Sequence, residues 1–152
     1  MRSSILLLLA FVFASFLGCQ TANEDARIEE PVEPLTDGVF IHIKQGPDNP
    51  HEVLMALRMA EMMVETQDVL LYFDIDGVKV VLNDSEDITF GNFPSSHTQI
   101  GKLVDMGVTI MACPGCLEVV GKSGDDLMQG VKLAERETFF NFTTGRILTL
   151  DY

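Results

Sequence analysis

The stretch GVTIMACPGCLEVVG, residues 107–121, joins a short apolar run to two cysteines and then to a segment that ends at a glycine. Val108 to Ala112 is apolar and partly β-branched, as in a buried strand. Pro114 suits the first position of a helix, so Cys113 is predicted to cap that helix. The stretch therefore predicts a strand followed by a helix, with the cysteines at the junction.

The same alternation of strand and helix extends in both directions from this stretch. The sequence predicts strands over 39–44, 68–73, 108–112, 131–133 and 146–151. It predicts helices that begin at Asn49, near Ser95 or Ser96, at Leu117, at Ser123 and at Glu135. Residues 77–82 fit either a strand or a short helix. Such alternation predicts one α/β domain with a mostly parallel sheet and helices on both faces.

The first 18 residues have the composition of an export signal. Arg2 is their only charged residue, and the apolar run from Ile5 to Leu17 is shorter than the roughly 20 residues that span a bilayer. The junction Phe16-Leu17-Gly18-Cys19 resembles the lipobox of bacterial lipoproteins, which implies that Cys19 carries a lipid anchor. The alternatives are a spanning helix, or a free or disulfide-bonded Cys19. Lipidation predicts a membrane-anchored, extracytoplasmic protein, on the periplasmic side in a Gram-negative cell.

Residues 19–37 form an acidic segment with two prolines. From Gln20 to Asp37 it carries six acidic residues against Arg27 alone, which predicts a solvated linker, although such a run could also bind a basic partner. The whole chain of 152 residues has a net charge of −13 and no basic stripe, which argues against nucleic-acid binding. The predicted organisation is a signal peptide over 1–18, a linker over 19–37 and a domain over 38–152.

Cys113 and Cys116 are the candidate reactive residues. Parallel strands collect reactive groups at their carboxyl ends, and the positive end of the following helix favours a thiolate on Cys113. Cys116, one helical turn further on, can reach back to it, as reversible dithiols require. The sequence therefore predicts Cys113 as the nucleophile and Cys116 as the resolving thiol, with Lys44 as a candidate positive charge at the same edge.

Two other interpretations of the cysteine pair stay open. A static disulfide across two residues would add little stability, because the loop that it closes is short. Met111-Ala112-Cys113-Pro114-Gly115-Cys116 resembles the loop of small copper-transfer domains, but there the loop follows the first strand. Zinc needs further ligands, and the three histidines, His42, His51 and His97, lie on separate predicted elements. No metal and no cofactor is therefore predicted.

The stretches GVFIHIKQGPDNPHEVLMALRMAEMMVETQDVLLYFDIDGVKVVL and LVDMGVTIMACPGCLEVVGKSGDDLMQGVKLA resemble the DsrE/DsrF-like family of sulfurtransferase and sulfur-relay subunits. The resemblance covers roughly residues 38 to 152. It implies a flavodoxin-like α/β domain, assembly into trimers or hexamers, and a persulfide on the cysteine that matches Cys113. Its well-understood relay members are cytoplasmic and use a single relay cysteine, whereas this chain has the export signal and Cys116 as well.

Two functional hypotheses follow. The first is a lipid-anchored, extracytoplasmic protein that transfers sulfane sulfur or exchanges disulfides with a donor or acceptor protein through Cys113 and Cys116. The second is a non-catalytic oligomeric binding module, in which the pair is a structural disulfide or a copper or zinc site.

Overall fold

A computed structural model of the protein describes residues 34–152. The predicted signal peptide, Cys19 and residues 19–33 of the predicted linker lie outside the described residues. Within residues 34–152, no helix is both long enough and apolar enough to cross a lipid bilayer.

Strands and helices alternate along the described residues. They are β1 (Gly38–Ile43), α1 (Pro50–Met63), β2 (Asp68–Phe73), α2 (Ser96–Asp105), β3 (Thr109–Ala112), α3 (Pro114–Val119), β4 (Val131–Leu133), α4 (Arg136–Phe140) and β5 (Ile147–Asp151). Two 3₁₀ helices, Gly77–Val81 and Gly124–Asp126, complete the order. Residues 77–82, which fit either a strand or a helix, are therefore mostly 3₁₀ helix.

The five strands form one parallel sheet in the order β4-β3-β2-β1-β5. The predicted α/β domain with a parallel sheet is therefore confirmed. Because all strands run the same way, their carboxyl ends meet at one edge of the sheet. β5 pairs with β1 although the two strands lie far apart in the sequence. Next to this pairing, Arg146 N–H donates to Asp37 Oδ1, 109 positions away in the sequence.

The two faces of the sheet are covered differently. Val39, Ile41 and Ile43 of β1 point into the main core, which α1 and α2 close with buried aliphatic side chains. Each such side chain contributes roughly 1.5–3 kcal/mol when it is fully buried.

On the opposite face, the rings of Phe40, His42 and Tyr72 stack at centroid distances of 5.8–6.1 Å. Phe139 of α4 packs edge-on against Phe40 and Tyr72, at 5.3 and 5.1 Å. We call these four residues the aromatic face. Helices therefore lie on both faces of the sheet, as predicted, and the second face carries the short α4.

Three predicted helix starts differ in detail from the structure. The helix predicted to begin at Leu117 begins at Pro114, with Cys113 as its N-cap. Asn49 is the residue before α1, but its side chain donates to Gln45 at 2.8 Å and does not cap the helix. Ser123 and Asp126 form a capping box, yet the helix that follows is a 3₁₀ turn of 3 residues. It ends there because Leu127 adopts an extended conformation and bridges to Leu82.

The loop after β2 is fixed to the end of β1 by backbone contacts. Asp74 N–H donates to Ile43 O at 3.2 Å, and Gly77 N–H donates to Lys44 O at 3.0 Å. A Cβ on Gly77 would lie only 2.2 Å from Ile43 O. Glycine is therefore required at position 77 for this loop to lie against β1.

Candidate functional site

Cys113 lies between β3 and α3, at the carboxyl edge of the sheet. Its N–H donates to Phe73 O of β2 at 2.9 Å, and its side chain caps α3 by accepting from Cys116 N–H at 3.4 Å. Both cysteines are partly buried free thiols. The structure therefore brings the two sequence-predicted site residues together, with backbone donors directed at the sulfur of Cys113.

Tyr72 is a site residue that the sequence analysis missed. It pairs in register with Met111, two positions before Cys113, so Tyr72 and Cys113 occupy the same face of the sheet. Its phenol lies close enough to the sulfur of Cys113 to lower the pKa of that thiol by hydrogen bonding. Burial raises the pKa of Tyr72, and the hydrogen bond to Cys113 raises it further. The phenol therefore keeps its proton and acts as a donor to Cys113.

The pKa values of the two thiols move in opposite directions. Burial raises the pKa of Cys113, but donors from the Cys116 side chain, the Tyr72 phenol and the backbone N–H groups of Cys116 and Gly115 lower it below its ordinary value. Burial, the hydrogen bond to Cys113 and nearby negative charge raise the pKa of Cys116. The pair is therefore asymmetric, with the thiolate favoured on Cys113 and the thiol on Cys116.

A row of charged side chains runs along the same edge from β5 towards the cysteines. His42 Nε2 lies 2.8 Å from Asp74 Oδ2, at an ion-pair distance but away from the direction of a hydrogen bond. His42 Nδ1 and Lys44 Nζ each lie 3.0 Å from Asp151 Oδ1. Lys44 therefore pairs with a carboxylate of β5. In the sheet, β5 is separated from β3 by β1 and β2. The uncharged donors around Cys113, rather than Lys44, lower its pKa.

Ile75 has an unusual backbone conformation next to Cys116. Its φ of 49° lies in the left-handed region, which costs a β-branched residue roughly 1–2 kcal/mol. Its N–H lies near the sulfur of Cys116 and lowers the pKa of that thiol against the larger opposing effects. The strained residue therefore directs a backbone donor into the site.

The histidines and acidic residues described by the structure do not form a metal site. Over residues 34–152, no cluster of three His, Cys, Asp or Glu side chains is placed to hold a metal ion. His51 stacks on Phe90 at 4.8 Å, and His97 contacts Ser85 at 3.0 Å.

A cavity of about 420 Å³ lies at the opposite edge of the sheet, lined by residues that include Asp37, Gly38 and Arg146. It starts where β1 starts, whereas Cys113 follows the end of β3. The chemistry of the cysteines therefore belongs to the carboxyl edge of the sheet and not to this cavity.

Changing Tyr72 to phenylalanine should raise the pKa of Cys113, because the thiolate loses a hydrogen-bond donor. The test compares Tyr72→Phe with Tyr72 in a Cys116→Ser background, by the rate of Cys113 alkylation by iodoacetamide. With Tyr72→Phe, the midpoint of the pH–rate curve should be higher and alkylation near neutral pH several-fold slower. Tyr152→Phe is the matched control and should leave the midpoint unchanged. An unchanged midpoint in Tyr72→Phe would show that this phenol does not stabilise the thiolate.

Comparison with known proteins agrees with the fold. The profile of the DsrE/DsrF-like family matches residues 37–145. Among solved structures, the ychN protein from E. coli matches with a TM-score of 0.59 and 19% identity over 76% of this chain and 100% of that chain. A protein of unknown function from Methanobacterium thermoautotrophicum, MTH1491, matches with a TM-score of 0.50 and 20% identity over 77% and 99%. At these identities the two structures support the fold alone, and none of the curated proteins matches.

Proposed function

The chain belongs to the DsrE/DsrF-like family, and from this membership we propose that it is a thiol-transfer protein with Cys113 as nucleophile and Cys116 as resolving thiol. Cys113 accepts a sulfane sulfur or attacks a disulfide. The observation that carries the proposal is the asymmetry of the pair, with a lowered pKa for Cys113 and a raised pKa for Cys116. An attacking thiol with a pKa near the ambient pH is the most effective nucleophile in such exchanges.

The first step is a displacement at sulfur. The Cys113 thiolate attacks the outer sulfur of a donor persulfide, the S–S bond of the donor breaks, and the donor leaves as a thiolate. A new S–S bond on Cys113 holds the transferred sulfur. Cys116 can then attack Cys113, form the internal disulfide and release sulfide, or an acceptor thiol can take the sulfur directly.

We also propose that the protein acts outside the cytoplasm, anchored by a lipid on Cys19 after removal of residues 1–18. The export signal, the lipobox-like junction and the acidic linker of the sequence support this location. In an oxidising compartment the pair rests as a disulfide unless a thiol reductant opens it, and that reduction must precede attack by Cys113. Family membership suggests sulfur-relay proteins as partners, and the aromatic face, which remains partly exposed, supports assembly into a homo-oligomer.

Intact mass spectrometry after incubation with a persulfide donor tests this function. Wild-type protein should gain about 32 mass units, the mass of one sulfur atom, located on Cys113. The adduct should accumulate in Cys116→Ser, because the resolving thiol is absent. A Cys113→Ser protein that gained the same mass would contradict the proposal. If wild-type protein failed to react with any persulfide donor, that result would favour the non-catalytic binding module.

A further inference from the structure

The loop after β2 places a half-buried carboxylate, that of Asp74, near Cys116. The side chain of Asp74 is 19% exposed, and its Oδ2 faces His42. Its other oxygen, Oδ1, is buried and has no hydrogen-bond partner among the residues that the structure describes. Buried carboxylate oxygens are normally paired, so an unpaired one in a site calls for a functional explanation.

The neighbours of Asp74 in the sequence connect it to both thiols. Phe73 O, on one side, accepts from Cys113 N–H at 2.9 Å. Ile75 N–H, on the other side, lies near the sulfur of Cys116 and lowers the pKa of that thiol. The negative charge of Asp74 also raises the pKa of Cys116 and of Tyr72, as expected for groups that lie close together.

We propose that Asp74 is the proton acceptor for Cys116 in the resolving step, and that His42 holds Asp74 in position. This inference rests on the proposed function. Cys116 sulfur attacks Cys113 in its mixed disulfide, a Cys113–Cys116 bond forms, and the bond to the leaving sulfur breaks. The leaving group departs as a thiolate, and the proton of Cys116 moves to Asp74. The sulfur of Cys116 is oxidised from the thiol to the disulfide level as the leaving sulfur is reduced from the disulfide to the thiolate level.

The other titratable groups around Asp74 have different partners. From β2, Tyr72 has a raised pKa and keeps its own proton, so it cannot accept one from Cys116. From β1, His42 places one ring nitrogen towards Asp74 and the other towards Asp151 of β5, which also binds Lys44. From the start of α3, Cys113 is the sulfur that is attacked. The unpaired oxygen of Asp74 is therefore the available acceptor beside Cys116.

The test follows the two steps separately in the full-length chain, in a Cys19→Ser background so that only two thiols react. A nitrobenzoate disulfide reagent releases one coloured thiolate when Cys113 attacks it and a second when Cys116 resolves the mixed disulfide. Asp74→Asn should slow the second release by about 100-fold near neutral pH, the usual contribution of a general base, and leave the first within about threefold. Asp76→Asn, an exposed carboxylate of the same loop, is the matched control and should change neither step.

The pH profile separates proton transfer from a structural role. In the Asp74→Asn protein, the rate of the second thiolate release should keep rising with hydroxide concentration. In the wild type, the same rate should level off over that pH range. Asp74→Ala should show the same slowing and recover part of the rate with added acetate, and it serves as the test if Asp74→Asn does not fold. A second release at the wild-type rate in either variant would overturn the inference. Loss of the first release from wild-type protein would instead contradict the proposed function.

Discussion

Replacing Cys113 by serine should reduce sulfur or thiol transfer by roughly a thousandfold or more, the loss expected when the nucleophile of a covalent mechanism is removed. A serine hydroxyl is not ionised by the donors that lower the pKa of Cys113, and it does not form a persulfide. The measurement is the rate of thiol release from a persulfide or disulfide donor. Folding should be unaffected, because the oxygen of serine can accept the Cys116 N–H in the same N-cap position.

Cys116→Ser is the matched control for this experiment and also distinguishes sulfur transfer from disulfide exchange. The variant retains the nucleophile, so its first step should remain fast. If the protein passes sulfur to an acceptor thiol, Cys116→Ser should still turn over with that acceptor present. If it exchanges disulfides, the variant should stop at the mixed disulfide on Cys113. Full activity in Cys113→Ser would remove the basis for both mechanisms.

Changing Gly77 to alanine should destabilise the domain by roughly 2–3 kcal/mol, which lowers its Tm by roughly 10 °C. The added methyl would lie against Ile43 O, a backbone atom at the end of the interior strand β1 that cannot turn aside as a side chain would. Urea unfolding followed by circular dichroism measures the change. Because Gly77 also ends the loop that carries Asp74 and Ile75, the resolving step should slow in the folded fraction.

Gly101→Ala provides the opposite control. Gly101 lies within α2, and a Cβ at this position would meet no other atom within 4 Å. Alanine is the better helix former, so this variant should be stabilised by roughly 0.5–1 kcal/mol. Equal stability of the Gly77→Ala protein and the wild type would show that the β2 loop can move away from β1 without cost.

Much of the fold could be predicted from the sequence because burial on both faces makes a strand continuously apolar. β2, with a buried centre from Val69 to Leu71, occupies the predicted residues, and α2 is followed by Gly107, whose φ of 81° explains the predicted stop. The lengths of the short helices could not be predicted. They depend on contacts between distant segments, such as the bridge from Leu127 to Leu82.

The candidate site was only half predictable for a related reason. The spacing of Cys113 and Cys116 and the proline between them are local signals. Tyr72 became part of the site through the register between β2 and β3, which a single sequence does not specify. Lys44 lies at the predicted edge, but the strand order places Asp151 beside it and β2 between it and β3.

The pairing of β5 with β1 has a consequence for the kinetics of folding. Strands β1 to β4 pair in sequence order, whereas β5 must close a loop of about a hundred residues before it gains any contact. We therefore expect β5 to dock late, after the segment that contains the cysteines has formed. Until it docks, His42 lacks the Asp151 carboxylate and one edge of β1 is open. A newly folded molecule would then hold its thiol pair before the full row of charges beside it is complete.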